Sequence, residues 1–476
     1  MNVHSFLANQ CTRKCQVDLC PFVRFFPDEP MKHFFRNFRG QASPLDPPPG
    51  SILGQAAPLL QRERPGGALR IALLSYRSNP YCGGQGVYVK YLSKALAELG
   101  HRVDVISGEP YPDLEPGVGL VPLPGLNLYA YSKPSEAIKD RGLRSWIDLR
   151  EWASHLSGGF PEPYTFGQRL VRYLAAHRDA YDLLHDNQSL SFGLLTLLRQ
   201  KFPLVATIHH PITRDLQTAL AGAENWGLRL LHRRWYSFLR MQKKVALKLP
   251  RIITVSSCSK RDLLLDFNLD PGRIEVVHNG VDLAQFRPLT DVEKIPGRIM
   301  TTTSADVPLK GLQYLLEAVN ELQESVPEIN LTVLGKPGKN GPTRRLIRSF
   351  GLQSRVRFVN GLSTRELCRE YARAQMAAVP SLYEGFGLPV AEAMACGLPV
   401  VSTSGGALPE VVGEAGILVP PADSQALARG IRQLFEGPLL RRELGEKGRR
   451  RMEEQFSWDR SAAKTARVYR DILDRD

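Results

Sequence analysis

Short apolar runs alternate with amphipathic stretches along the chain from Leu69 onward. This rhythm is typical of parallel sheets covered by helices. It predicts two series of strands, at residues 70–75, 102–107, 182–185, 203–208, 251–256 and 274–278, then at 298–303, 329–334, 356–359, 376–380, 398–402 and 416–419. Residues 282–296 are polar and include two prolines, so they predict a linker between the series. The predicted fold class is α/β, with two doubly wound Rossmann-like domains facing each other across a cleft.

The predicted organisation has four parts. They are a poorly ordered leader (1–66), a first Rossmann-like domain (67–283), a second Rossmann-like domain (284–455) and a C-terminal helix (456–476). The leader is polar and proline-rich, as in DPPPG at 46–50, and therefore has little apolar surface to bury. We expect it to be a tail or the product of an early start codon, with Met31 as the alternative start.

Composition agrees with a soluble globular protein. A chain of 476 residues is too long for a single domain with one hydrophobic core, so two domains are expected. Its contents of 43% hydrophobic and 23% charged residues argue against a disordered or fibrous chain. No apolar run is long enough to span a membrane and no secretory signal is evident, so the expected location is cytoplasmic. Seven cysteines, an odd number, favour reduced thiols; the cluster Cys11, Cys15 and Cys20 matches no zinc pattern.

The net charge of +14 suits an anionic partner, which could be nucleic acid, a membrane surface or a phosphorylated substrate. The densest basic patch spans residues 229–251, contains no acid and has apolar residues at near-helical spacing. This pattern predicts an amphipathic helix, either docked on its own domain or in peripheral contact with an anionic membrane on its inner face. Because no nucleic-acid-binding motif accompanies the charge, we predict no nucleic-acid partner.

The segment that begins at Ser381, SLYEGFGLPVAEAMACGLPVV, follows a predicted strand and carries the strongest chemical signal. Its glycines allow backbone to approach a ligand, and Pro389 is placed to open a helix whose free N–H groups could meet a diphosphate or sugar oxygens. Glu384 and Glu392 can converge on hydroxyl groups as paired acceptors. Structural packing of a strand, a glycine loop and a helix is the alternative interpretation.

The part reading EGFGLPVAE resembles the Glu-x7-Glu motif of retaining glycosyltransferases of the GT-B fold, specifically glycosyltransferase family 4. The similarity runs from about Arg70 to the C-terminus and includes GGQGVYVKYLSKALAELGHRV from Gly83, VVHNGVDLAQFRP from Val276, VPLKGL from Val307 and GGALPEVVGEAGILVPPAD from Gly405. It implies sugar transfer, with retained configuration, from a nucleotide-sugar donor to a hydroxyl acceptor held by the first domain. The closing helix is expected to cross back onto that domain.

The resemblance also implies residue roles. Glu392 is expected to hold the donor ribose and Glu384 to contact the sugar, while the backbone along the sugar and phosphate comes from Gly385, Phe386, Gly387 and Leu388. Gly83 and Gly84 are expected beside the donor phosphate and acceptor, although a simple glycine-rich turn explains them equally well from the residues alone.

Two side chains outside that segment complete the predicted catalytic set. Lys310 follows the first strand of the second domain, where an ammonium group can balance charge on a departing nucleotide diphosphate. His209 and His210 close the strand at 203–208 and His185 closes another, so all three could reach the cleft. By resemblance His209 contacts the donor sugar and is preferred over the other two; a lone histidine or lysine is otherwise more often structural or solvated.

The sequence departs from the family in one respect. An Arg usually precedes the lysine, but this chain has Ser304, Ala305 and Asp306 there, with Lys336 as one candidate substitute. The missing arginine motivates one alternative function, a catalytically weak sugar-nucleotide-binding protein. The other alternative is a nucleotide-sugar hydrolase or epimerase of the same fold. An Asp-x-Asp triplet occurs only at the extreme C-terminus, so we predict no essential metal and no cofactor.

Overall fold

The computed structural model describes residues 67–79 and 84–474. The predictions for the leader at 1–66, for the cysteine cluster within it and for Gly83 lie outside the described residues.

The first domain is built on a seven-stranded parallel sheet with the order β3-β2-β1-β4-β5-β6-β7. Its strands are β1 (Arg70–Ser75), β2 (Arg102–Ser107), β3 (Gly119–Pro122), β4 (Leu183–Asn187), β5 (Leu204–Ile208), β6 (Ile252–Thr254) and β7 (Ile274–Val276). Its helices are α1 (Gly84–Glu98), α2 (Pro134–Arg141), α3 (Trp146–Leu156), α4 (Glu162–Ala175), α5 (Phe192–Arg199), α6 (Thr213–Ala221), α7 (Trp226–Trp235), α8 (Phe238–Ala246) and α9 (Ser257–Phe267).

The second domain repeats the design with a six-stranded parallel sheet, in the order β10-β9-β8-β11-β12-β13. Its strands are β8 (Arg298–Thr302), β9 (Asn330–Leu334), β10 (Val356–Val359), β11 (Met376–Val379), β12 (Val400–Thr403) and β13 (Ile417–Val419). Its helices are α10 (Leu312–Leu322), α11 (Pro342–Ser349), α12 (Thr364–Arg373), α13 (Leu388–Ala395), α14 (Leu408–Val412), α15 (Ser424–Glu436) and α16 (Pro438–Gln455), and α17 (Trp458–Leu473) closes the chain. The predicted fold class of two doubly wound Rossmann-like domains is confirmed.

The C-terminal helix α17 packs on the first domain. Trp458 and Tyr469 are buried in one apolar cluster with residues of β1, β2 and α1. The Trp458 ring stacks on Tyr91 with centroids 5.8 Å apart. The chain therefore crosses between the domains twice, because it enters the second sheet after β7 and returns before α17.

Three details differ from the sequence-based expectation. Strand β3 was not predicted; it lies at the sheet edge with alternating exposure, so it lacks a continuous apolar run. Strand β4 continues to Asn187 instead of ending at His185. The basic amphipathic segment forms two helices, α7 and α8, separated by a turn at Tyr236 and Ser237.

The break between α7 and α8 follows from aromatic packing. Trp235 and Tyr236 are adjacent in sequence, so a continuous helix would point them in directions about 100° apart. With the turn between the helices, both are buried in one cluster with Leu239, and Trp235 stacks on Phe160 at 5.3 Å. Within the described residues, no helix combines the length and apolar character needed to cross a membrane.

Candidate active site

The strand order of each sheet reverses at one point, where loops leave two neighbouring strands in opposite directions and open a crevice. In the second domain this point lies between β8 and β11. Lys310 stands in the loop after β8, and Glu384 in the loop after β11, at residues 380–387, which we call the β11–α13 loop. Topology alone therefore brings these two predicted site residues to the same crevice.

Lys310 and Glu384 form an ion pair there. The lysine Nζ lies 2.7 Å from Glu384 Oε1, and the same oxygen accepts a hydrogen bond from Ser381 Oγ at 2.8 Å. The carboxylate is mostly buried, with 11% of its side chain exposed, while the lysine keeps 29%. The pair thus combines an accessible cation with a fixed acceptor.

Helix α13 begins at the end of the β11–α13 loop and points its N-terminus into the same crevice. Gly387 caps it at φ +100°, a backbone conformation that favours glycine. The Phe386 side chain is buried among apolar residues and packs edge-on against Phe456, so only its backbone is available to a ligand. Pro389 carries no N–H, and the N–H groups of Val390 and Ala391 bond to the Gly387 carbonyl. The N–H of Leu388 is therefore the group of this first turn that is left for an anionic ligand.

Glu392 lies in the second turn of α13. Burial raises its pKa from an ordinary value near 4.5 to about 7, although a hydrogen bond from the Tyr371 hydroxyl partly opposes the shift. The Tyr371 hydroxyl also meets Thr302 at 3.0 Å, which ties Glu392 to the end of β8. A carboxyl group held in this way can accept hydrogen bonds from a diol.

His209 follows β5 in the first domain and is a neutral imidazole. Burial, followed by the neighbouring His210 and His185, lowers its pKa to about 3. Its Nε2 lies 2.7 Å from Asn187 Oδ1, which can only accept, so Nε2 carries the hydrogen and Nδ1 remains an acceptor. The amide orientation is supported by the contact from Asn187 Nδ2 to the Gln85 carbonyl. His209 can therefore bind a hydroxyl but cannot supply positive charge near neutral pH.

The other two histidines have different positions. His185 was expected to reach the cleft, and this prediction is wrong: its ring is completely buried between Thr207 and Tyr469 of α17, and burial lowers its pKa to about 3. The cause is the longer β4, which places His185 inside the strand. His210 is half-buried and pairs with Asp215 at 3.3 Å.

Gly84, at the start of α1, faces the second domain. A Cβ added to it would lie 3.8 Å from Leu388 Cδ1 at the start of α13. The first-domain glycine and the N-terminus of α13 are therefore neighbours across the cleft, as the predicted donor-binding set requires. Sequence reasoning missed the site roles of Asn187 and Ser381, for which the available signal was a polar residue at the end of a buried strand or just beyond it.

The segment that lacks the arginine has a structural role. Asp306 accepts hydrogen bonds from the N–H groups of Gly338 and Thr343, at 2.6 and 3.2 Å, and so fastens the loop after β9 to the start of α11. Lys336 lies exposed on that loop. Its part as a substitute cation stays a prediction.

Two doubly wound domains, with an acid–lysine pair and a helix N-terminus at the switch point and a histidine facing them from the other domain, define a glycosyltransferase of the GT-B class. The model "Glycosyltransferase Family 4" matches residues 82–285 and the model "Glycosyl transferases group 1" matches residues 294–451. The chain belongs to glycosyltransferase family 4.

Individual relatives agree with this assignment. The chain is 47% identical over 411 residues to MMP alpha-(1->4)-mannosyltransferase of Mycolicibacterium hassiacum, covering 86% of this chain and 99% of the relative. In fold it resembles sucrose-phosphate synthase from Thermosynechococcus elongatus, with a TM-score of 0.65 and 24% sequence identity. That match covers 86% of this chain and 100% of the synthase chain. Its fold also resembles that of Anabaena HepE in complex with UDP-glucose, with a TM-score of 0.59 and 17% sequence identity. That match covers 85% of this chain and 100% of the HepE chain.

Proposed function

We propose that this chain is a retaining mannosyltransferase, which moves a mannosyl group from a nucleotide-mannose donor to a sugar hydroxyl and forms an α-(1→4) linkage. The observation that carries the proposal is the Lys310–Glu384 pair at the switch point, beside the N-terminus of α13. The choice of mannose and of the linkage rests on the 47% identity to the mannosyltransferase of M. hassiacum.

In the proposed reaction, the bond between the anomeric carbon and the donor phosphate oxygen breaks. The acceptor hydroxyl oxygen bonds to that carbon from the same face, and its proton passes to the departing phosphate. Lys310 and the Leu388 N–H at the start of α13 stabilise the charge that develops on the diphosphate. Glu384 and the neutral His209 bind sugar hydroxyls, Glu392 binds the ribose, and closure around the donor excludes water.

The donor and the reaction can be tested together. GDP-mannose, UDP-mannose and UDP-glucose are each added to the protein, and a true donor is expected to raise its melting temperature, because ligand binding to the folded state stabilises it. The donor so found is then incubated with and without α-(1→4)-mannose oligosaccharides. We expect elongated product of retained configuration by NMR. If free mannose is released equally well without acceptor, the protein is a nucleotide-sugar hydrolase. If the donor binds but is not turned over, the protein is a sugar-nucleotide-binding protein.

We also propose peripheral contact between the basic face of α7 and α8 and an anionic membrane. Trp226 and Leu230 are 80% and 59% exposed there. On α7 they share a side of the helix with the exposed Arg229 and Arg233. The α8 segment adds four exposed cations, Arg240, Lys243, Lys244 and Lys248. Such a surface favours anionic lipid. Co-sedimentation with phosphatidylserine vesicles should weaken on changing both Arg229 and Arg233 to glutamate, whereas equal binding to neutral vesicles would argue against the contact.

Replacing Glu392 by glutamine is expected to stabilise the protein and weaken donor binding. Because the folded-state pKa of Glu392 is raised to about 7, its contribution to stability is present at low pH and is lost as pH rises through 7. Glutamine does not ionise, so Glu392→Gln should exceed the wild type in unfolding free energy at pH 8 by about 1 to 3 kcal/mol, and by much less at pH 5. Thermal unfolding at both pH values measures this.

The matched control is Glu443→Gln, which makes the same change on exposed α16, where the carboxylate pairs with Lys447. Its effect on the free energy of unfolding should stay within about 0.5 kcal/mol at both pH values, as for most surface substitutions. In Glu392→Gln the affinity for the donor should fall, because a neutral amide is a weaker acceptor than a carboxylate. Unchanged donor affinity would remove Glu392 from the ribose site.

A further inference from the structure

One face of helix α9 lies against the second domain. Ser256, Ser259 and Asp262 follow at three-residue spacing, which brings their side chains to one side of a helix. The hydroxyls of Ser256 and Ser259 both donate hydrogen bonds to the carbonyl oxygen of Gly385, at 2.7 and 3.2 Å. The Tyr383 hydroxyl donates to Asp262 at 2.6 Å. The first domain thus holds the two residues on either side of the proposed sugar-binding carboxylate.

The β11–α13 loop also lies close to the end of β5. A Cβ at Gly385 would lie 2.9 Å from the His209 carbonyl oxygen and 3.2 Å from the His210 Cβ, so the approach requires glycine. The single Ser259 hydroxyl hydrogen is shared between that His209 carbonyl, at 2.8 Å, and the more distant Gly385 carbonyl, at 3.2 Å. One side chain of α9 therefore bonds to backbone on both sides of the cleft.

Glu410 braces the same helix from the second domain. Its carboxylate accepts hydrogen bonds from the N–H groups of Ser257 and Cys258, at 2.8 and 2.6 Å, at the N-terminus of α9. Burial opposes ionisation of Glu410, but His278 and these N–H groups outweigh it and lower the pKa to about 2. The brace therefore persists at neutral pH and is lost only as pH falls toward 2. Ala407, the residue immediately before α14, donates its N–H to the Glu384 carbonyl at 2.9 Å.

The Asp262 carboxylate is largely shielded from water, so water cannot readily replace the hydrogen bond from the Tyr383 hydroxyl. It is 7% exposed, and its charged partner, Arg214, lies 3.4 Å away with 44% of its own side chain exposed. Loss of a hydrogen bond to a buried carboxylate costs more than loss of a neutral one. Among the contacts that this face makes with the loop, removal of the Tyr383–Asp262 hydrogen bond is therefore expected to disturb the loop most.

We propose that the face of α9 formed by Ser256, Ser259 and Asp262 positions the β11–α13 loop, so that Glu384 is set opposite Lys310. Asp262 acts through Tyr383, and the two serines act through Gly385. The roles of Glu384 and Lys310 rest on the proposed function, but the positioning of the loop does not. Asp262 and the serines are thus positioning residues and do not touch the reacting atoms.

The test compares Tyr383→Phe, Asp262→Ala and the double variant. Each single change should lower kcat with GDP-mannose about tenfold with a much smaller change in KM, the size expected for a hydrogen bond to a charged group. The double variant should lose no more than Asp262→Ala alone, because that change already removes the Tyr383 contact together with the Arg214 ion pair. Asp262→Asn keeps an acceptor for the tyrosine hydroxyl and should restore most of kcat. Independent, additive losses, or losses confined to KM, would overturn the proposal.

The matched control is Asp266→Ala, one turn further along α9, where the carboxylate contacts Thr213 of its own domain. It should leave kcat near the wild-type value. A second readout needs no activity: amide hydrogen exchange of residues 383–387 should be faster in Tyr383→Phe and Asp262→Ala but not in Asp266→Ala. Unchanged exchange would refute the positioning role, whereas faster exchange in a protein that transfers no sugar would leave it intact and refute the proposed function.

Discussion

Replacing Lys310 with alanine is expected to lower kcat by roughly 10²- to 10³-fold, the loss typical when a group that stabilises developing transition-state charge is removed. The ammonium group lies at the switch point of the second sheet, where the diphosphate of the donor would carry the growing charge. KM should change less, because the stabilised charge is larger in the transition state than in the bound donor. Steady-state kinetics with the donor found by thermal shift measures both constants.

The companion variant to Lys310→Ala is Lys336→Ala, since Lys336 is the candidate substitute for the missing arginine; the matched control is Lys339→Ala, because Lys339 is exposed on the same loop. If Lys336→Ala loses as much activity, the two lysines share the diphosphate and Lys336 takes the place of the missing arginine. A loss below about tenfold in Lys310→Ala would contradict the catalytic assignment. Lys310→Ala removes the ion pair of the mostly buried Glu384 carboxylate and leaves its hydrogen bond from Ser381. A thermal unfolding curve must therefore confirm that the variant is folded.

The sequence could predict those elements of the fold that have a local pattern of apolar residues. The buried strands β1, β5 and β11 each contain at least three consecutive apolar residues, and their positions agree with the predicted ones. Edge strand β3 has no such run. The turn between α7 and α8 depends on which aromatic rings fit the same cluster, a tertiary property that helical spacing does not contain.

The candidate site divides in the same way. The segment from Glu384 to Glu392 was predictable because its glycines, proline and carboxylates are adjacent in sequence. The approach of Lys310 to Glu384 followed from strand order, which a βα rhythm suggests. The contact between Asp262 and Tyr383 had no sequence signal, because an aspartate in an ordinary helix acquires that partner only when two separate domains are placed together. His185 was misjudged because a two-residue error in a strand end moves a side chain from the cleft into the core.

Replacing Trp458 with alanine is expected to lower the free energy of unfolding by about 3 to 5 kcal/mol, the usual cost of truncating a buried large aromatic side chain. Trp458 is 6% exposed, stacks on Tyr91 and meets Tyr88 edge-on at 5.9 Å. It is the first residue of α17, at the point where the chain returns to the first domain. Urea unfolding of both proteins, followed by circular dichroism, measures the difference.

The control is Trp226→Ala, which makes the same change at the first residue of α7, where the ring is 80% exposed. Its effect should stay within about 0.5 kcal/mol, as for most surface substitutions. If Trp458→Ala cost no more than that, α17 would not be integral to the first domain. Kinetics at low temperature, where the variant remains folded, separate two roles for the helix. A kcat near the wild-type value would mean that α17 only stabilises the first domain, whereas a large loss would mean that the crossover at Trp458 also sets how the two domains meet around the site.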